Sequence, residues 1–115
     1  MRHKKDIKKL GRNKSHRKAL MRNMTISFFE NSKIITTTAK AKQLRRIVER
    51  LITLAKEGTL SSYRRINQFL NHPETVKRII ETSKRYSDKN GGYTQIIKIG
   101  YRRGDSAEKS ILKLI

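Results

Sequence analysis

The 115-residue sequence contains no cysteine, no tryptophan and a single proline. Without cysteine there can be no disulfide and no thiolate-held zinc, which removes disulfide scaffolds and zinc fingers together. This composition suits a reducing compartment. Aromatic residues make up only 6% of the chain. A surface that stacks many bases needs more rings than that, so phosphate and groove contacts are the expected mode toward a nucleic acid. Acidic residues are scarce, with 9 Asp and Glu against 29 Lys and Arg. No stretch approaches the roughly 20 apolar residues of a membrane span. The first residues also lack the apolar centre of a signal peptide. No membrane partner is therefore expected.

What the chain does have is positive charge, a formal net of +20. A compact chain so charged repels itself, and a polyanion relieves the strain by supplying phosphates and releasing counterions. Hydrophobic residues form 35% of the sequence, below the usual share of about 45–50%. The length suits one domain with a modest core. The division expected is a basic arm over 1–14 and one folded domain over 15–115. Segment 1–22 carries Arg2, Lys4, Lys5, Lys8, Lys9, Arg12, Lys14, Arg17, Lys18 and Arg22 against one acid, Asp6. The start of this segment has no apolar stripe and cannot order itself alone. It is either a solvated tail or an arm that orders along phosphates.

Ser15 is the expected N-cap of a first helix ending near Asn31. Leu20, Met21, Met24 and Phe28 fall on one face of it, with Lys18 and Arg22 opposite. Arg17 projects near the apolar face, which fits only if the first turn stands outside the core. Phe29 lies on the basic side and needs cover from another element. Lys33 to Thr37 is β-branched and predicts a strand. One of Thr36, Thr37 and Thr38 then caps a second helix, whose stripe is Ala41, Leu44, Val48, Leu51, Ile52 and Ala55 and which ends at Gly58. Lys42, Arg45, Arg46, Arg50 and Lys56 fill its other half, a face either solvated or in contact with RNA. Glu49 and Glu57 partly neutralise it.

A third helix over about 61–70 points Tyr63, Ile66, Phe69 and Leu70 inward. A fourth starts at Pro73, carries Val76, Ile79 and Ile80, and ends near Lys84. Asn90-Gly91-Gly92 predicts a turn. Tyr93 to Tyr101 predicts a strand with Ile97, Ile99 and Tyr101 alternating to one face, and Gly100 marks a bulge or a close backbone approach. Ile111 to Ile115 predicts a last strand in a hairpin with the one before. The fold class is two-layer α+β, in the order helix, strand, three helices, two strands. A small three-stranded sheet has one apolar face covered by the helices.

No catalytic constellation is visible. His3, His16 and His72 are dispersed without the spacing of a metal pair, and the nine acids are scattered. There is no phosphate-binding P-loop and no nucleophile elbow. Asp105 is expected to pair with Arg102 or Arg103, or to cap its loop. No cofactor, metal or small-molecule substrate is implied. The RRM signature and the KH loop are absent, and no exposed recognition helix stands out. The cations occupy an arm, two helix faces and a loop, a footprint suited to one folded RNA surface. An RNA-binding structural protein leads. A DNA-compacting protein is favoured by charge alone, and an RNA-processing enzyme is the third class.

Several motifs in register from Met1 to Ile115 then narrow the choice. They are MRHKK at 1–5, LGRN-x-SHR at 10–17, ITTT-x-KAK at 35–42, LITLAKEG at 51–58, RYSDKNGGYT at 85–94 and RRGD-x-A at 102–107. Together they resemble the bacterial family of large-subunit ribosomal protein seventeen. The resemblance implies a cytoplasmic protein of the large ribosomal subunit, binding its rRNA near the outer end of the peptide exit tunnel and touching neighbouring ribosomal proteins. It assigns rRNA contact to Arg2, His3, Lys4, Lys5, Lys8, Lys9, Arg12, Asn13, Ser15, His16, Arg17 and Lys18. It adds Thr36, Thr37, Lys40, Lys42, Arg102 and Arg103. The basic helix faces contribute Arg22, Arg45 and Arg46. Two positions depart from the family pattern: Gln95 stands where Arg is common, and Lys113 where an acid is common.

Overall fold

A computed structural model describes residues 13–115. In chain order these form α1 (Lys14–Asn31), β1 (Lys33–Thr37), α2 (Thr38–Glu57), α3 (Leu60–Leu70), α4 (Pro73–Lys84), β2 (Thr94–Tyr101) and β3 (Glu108–Leu114). The element order and the α+β class agree with the sequence pattern. β3 lies between β1 and β2, antiparallel to both.

Local chemistry sets the boundaries. Asn13, not Ser15, caps α1, its side chain accepting the His16 N–H at 2.9 Å. Asn and Ser cap equally well, so the pattern could not decide between them; Ser15 sits inside the first turn. Thr37 is the N-cap of α2, although its side chain makes no capping bond. Gly58 ends that helix at φ 69°, its N–H reaching the Ala55 carbonyl at 3.2 Å. Thr59 caps α3, and the His72 side chain accepts the Thr75 N–H ahead of Pro73 in α4. β3 starts three residues before the expected Ile111 because Lys109 and Ser110 pair with both neighbours and Glu108 pairs with Tyr101 of β2, despite their polarity.

The core lies between the helices and one sheet face. Phe28, Leu44, Val48, Ile52, Ile66, Ile79, Tyr93 and Leu112 are fully buried. Phe29 is buried as expected and meets Phe28 edge to face, ring centroids 5.1 Å apart. Polar groups within the core are paired: Thr25 donates to the Met21 carbonyl at 2.7 Å, and Thr38 Oγ1 and Ser110 Oγ share a hydrogen at 2.6 Å. Among the described residues no buried side-chain polar atom lacks a partner.

The apolar face of β2 differs from expectation. Thr94 and Ile96 point to the helices, so Ile97 and Ile99 lie on the opposite, open face. The ladder slips between Lys98 and Gly100, the bulge that Gly100 marked, with φ at +120°. Beyond the slip Tyr101 pairs with Glu108 and leaves the Ile97–Ile99 row.

Acidic side chains act as ties. Glu49 Oε1 accepts from the Thr94 N–H at 3.3 Å and its hydroxyl at 2.9 Å, joining α2 to the start of β2. Glu57 accepts from Ser62 Oγ at 2.6 Å. Lys56 reaches the Lys89 carbonyl and the Tyr93 hydroxyl, holding the Gly91-Gly92 turn against α2.

Candidate nucleic-acid interface

The inward face of α1 changes character along its length. Met21, Met24, Thr25, Phe28 and Phe29 are buried. One to two turns earlier the same face carries Lys14, Arg17 and Lys18, since spacings of three, four and seven return to one side of a helix. The first turn therefore stands beyond the core, as the position of Arg17 required. On α2 the set Gln43, Arg46, Ile47 and Arg50 repeats the spacing. The two sets face one groove of about 520 Å³, lined by Lys14, Arg17, Lys18, Met21, Gln43, Arg46, Ile47, Arg50 and Phe69. Five of the nine are cations and none is acidic. Its floor is apolar.

Arg22 does not project away from this site. Its Nε donates to the Phe69 carbonyl at 2.9 Å, fixing α1 to the end of α3 beside the groove. The single basic face expected on α2 also divides. Arg46 and Arg50 line the groove. Arg45 sits on the other flank, 3.7 Å from Glu49. Lys42 lines a smaller depression of about 310 Å³ with Thr37, Thr38, Ala39, Ala107 and Glu108. The structure thereby brings the start of α2 beside the β2–β3 loop, two segments far apart in sequence. Thr36 and Lys40 are half-buried next to it.

In that loop Arg102 grips Asp105, Nη2 to Oδ2 at 2.5 Å and Nε to Oδ1 at 3.1 Å. Asp105 also accepts the Ala107 N–H at 3.2 Å. Both expected roles of Asp105, partner and loop cap, are present. The Arg102 hydrogen bonds and the Ala107 N–H hold the carboxyl at about 2. The same partnership raises Arg102 above its ordinary value. Arg103 is exposed.

Ser15, His16 and Lys18 are exposed on α1, and Asn13 is used as its cap. Arg2, His3, Lys4, Lys5, Lys8, Lys9 and Arg12 lie outside the described residues. Among the described residues no His, Asp and Glu side chains gather as metal ligands, and no helix is long and apolar enough to cross a membrane.

Residues 20–115 match the family model described as ribosomal protein L17. The chain is 50% identical to the large ribosomal subunit protein bL17 of Petrotoga mobilis, covering all of this chain and 97% of the relative. It is 47% identical to the bL17 of Fusobacterium nucleatum over the full length of both. The bL17 of Dictyoglomus thermophilum is 41% identical, again over both full lengths. The chain belongs to the ribosomal protein L17 family.

For this L17-family chain, the sequence placed Lys14 in the basic arm and Arg50 on the basic half of α2 without assigning either an rRNA contact, and it passed over Gln43. Their common signal was available. Each stands at helical spacing from a cation assigned to rRNA contact, Lys14 from Arg17 and Lys18, Gln43 and Arg50 from Arg46. What was missing was the relative placement of the two helices, which turns two half-basic faces into one concave surface.

Proposed function

We propose that the chain is a structural constituent of the large ribosomal subunit that binds large-subunit rRNA and helps fold and stabilise it near the outer end of the peptide exit tunnel. It works in the cytoplasm, as part of the ribosome, beside neighbouring large-subunit proteins. It carries out no catalysis. The observation that carries this reading is the acid-free groove between α1 and α2, with five cations around an apolar floor. Guanidinium groups offer forked donors to phosphate, and lysines add point charges. Two helices hold these groups in fixed positions, as a folded RNA surface requires.

The arm over 1–14 extends the same surface. Helix α1 begins at Lys14, so the basic arm is joined in sequence to the groove-lining helix. Lys42, Thr36, Thr37 and Lys40 at the start of α2, with Arg102 and Arg103 in the neighbouring loop, form a second contact area. The position near the tunnel exit rests on the family resemblance of the motifs.

The test is incorporation. A chain lacking residues 1–12, which keeps the Asn13 cap, is expected to retain its fold by circular dichroism while entering large subunits poorly. Large subunits are recovered by sedimentation. Unchanged incorporation of the truncated chain would remove the arm from the binding surface. Recovery of the full chain with the nucleoid, not with large subunits, would favour a DNA-compacting protein instead.

A further inference from the structure

The sheet face turned away from the helices is unlike the rest of the surface. On β3 the buried residues are Ser110 and Leu112, so Lys109, Ile111 and Lys113 point to the open side. Register extends this into rows. Ile35 and Ile97 both pair with Ile111, and Lys33 and Gln95 both pair with Lys113. Ile35 is 58% exposed, Ile97 36% and Ile99 41%. A band of four isoleucines thus crosses all three strands, flanked by Lys33 and Lys113 on one side and Lys109 on the other. The band contains no acid, and none of the three lysines has an acidic side-chain partner among the described residues. Lys33 and Lys113 face each other directly, a like-charge pairing that destabilises an isolated sheet.

Contiguous exposed apolar rows rimmed by charge mark interaction surfaces. Charge decides between occupants. A second copy would set lysines against lysines. The chain's own arm carries Arg2, Lys4, Lys5, Lys8, Lys9 and Arg12 and is repelled for the same reason. Hydrated phosphates would suit the lysines but leave the isoleucine band without apolar cover. An acidic segment of another protein, with carboxylates flanking apolar side chains, satisfies both. We propose that this face is a protein-docking surface that takes such an acidic, amphipathic segment, while RNA is held by the helical side of the molecule. The two departures noted in the sequence, Gln95 and Lys113, are direct cross-strand partners on this face. Lys113 leaves that edge without a carboxylate, and Gln95 beside it is neutral, so the edge carries net positive charge from Lys33 and Lys113 toward an acidic partner.

This proposal rests on the chain's residence in the large subunit, which is checked first. A photoreactive p-benzoylphenylalanine replaces Ile35 in one variant and Ile97 in another, with exposed Glu81 as control position. Each variant is assembled into large subunits, which are purified and irradiated. The expected product at 35 and 97, not at 81, is a cross-link to a ribosomal protein, through a segment carrying both acidic and apolar residues. Adding Lys33→Glu and Lys113→Glu is expected to lower that yield by roughly three- to tenfold. Cross-links only to rRNA, only to the chain itself or to a second copy, or at no greater yield than at 81, would overturn the proposal. So would a protein cross-link through a basic segment. Failure of the unmodified chain to enter large subunits would instead defeat the reading above it.

Discussion

Asp105 shows how much one exposed pair can organise in a loop. Arg102 and the Ala107 amide both stabilise the carboxylate, and the pair is open to solvent, so its consequence is local order in place of global stability. A carboxyl held at about 2 keeps its contribution at all pH values above the ordinary aspartate range of about 3.9. That contribution is lost as pH falls through about 2. An NMR titration of the Asp105 carboxyl is expected to show a midpoint near 2, and Arg102→Ala should return it toward the ordinary range. A normal midpoint in the unmodified chain would contradict the pairing. A buried pair behaves differently. Thr38→Val leaves Ser110 Oγ without its partner at 2.6 Å, a loss of about 1–3 kcal/mol. Adding Ser110→Ala should recover part of it, as urea unfolding of the single and double variants would reveal.

At the scale of elements, α2 and α4 were legible because their apolar positions repeat cleanly and their ends carry unambiguous residues, Gly58 and Pro73. Helix α1 was less so. Its cations at 14, 17 and 18 occupy the positions that face the core further along, so the periodic signal weakens where the binding groove begins. A sequence does not distinguish a cation facing solvent from one facing a cleft between two helices. β2 was misread for a related reason. Alternation groups Ile97 and Ile99 together, but the covered side is set by Tyr93, Thr94 and Ile96 packing on α2, and the bulge at Gly100 removes Tyr101 from the row. The capping correction is directly measurable. Asn13→Ala is expected to destabilise the protein by about 1 kcal/mol, while Ser15→Ala should stay within about 0.5 kcal/mol of the parent. The reverse ranking in chemical unfolding would restore Ser15 as the cap.

The molecule as a whole divides its surfaces by charge and cover. The carboxylates of the basic helix also tie it to other elements, Glu49 accepting from Thr94 while meeting Arg45, and Glu57 accepting from Ser62. The groove is left positive, and the start of α2 meets the β2–β3 loop. The helical side thus concentrates cations for a polyanion, and the open sheet side offers isoleucines rimmed by lysine. The proposed function requires the groove to contact phosphate. Its most direct test is the salt dependence of binding to purified large-subunit rRNA. Binding is compared between the parent chain and a variant combining Lys14→Gln, Arg17→Gln, Lys18→Gln and Arg50→Gln. Each phosphate contact contributes roughly 0.7–0.9 to the slope of log affinity against log salt, so losing four should flatten it by about 3. A variant that melts like the parent and shows that flatter slope is the expected result; a folded variant with the parent's slope would contradict the account.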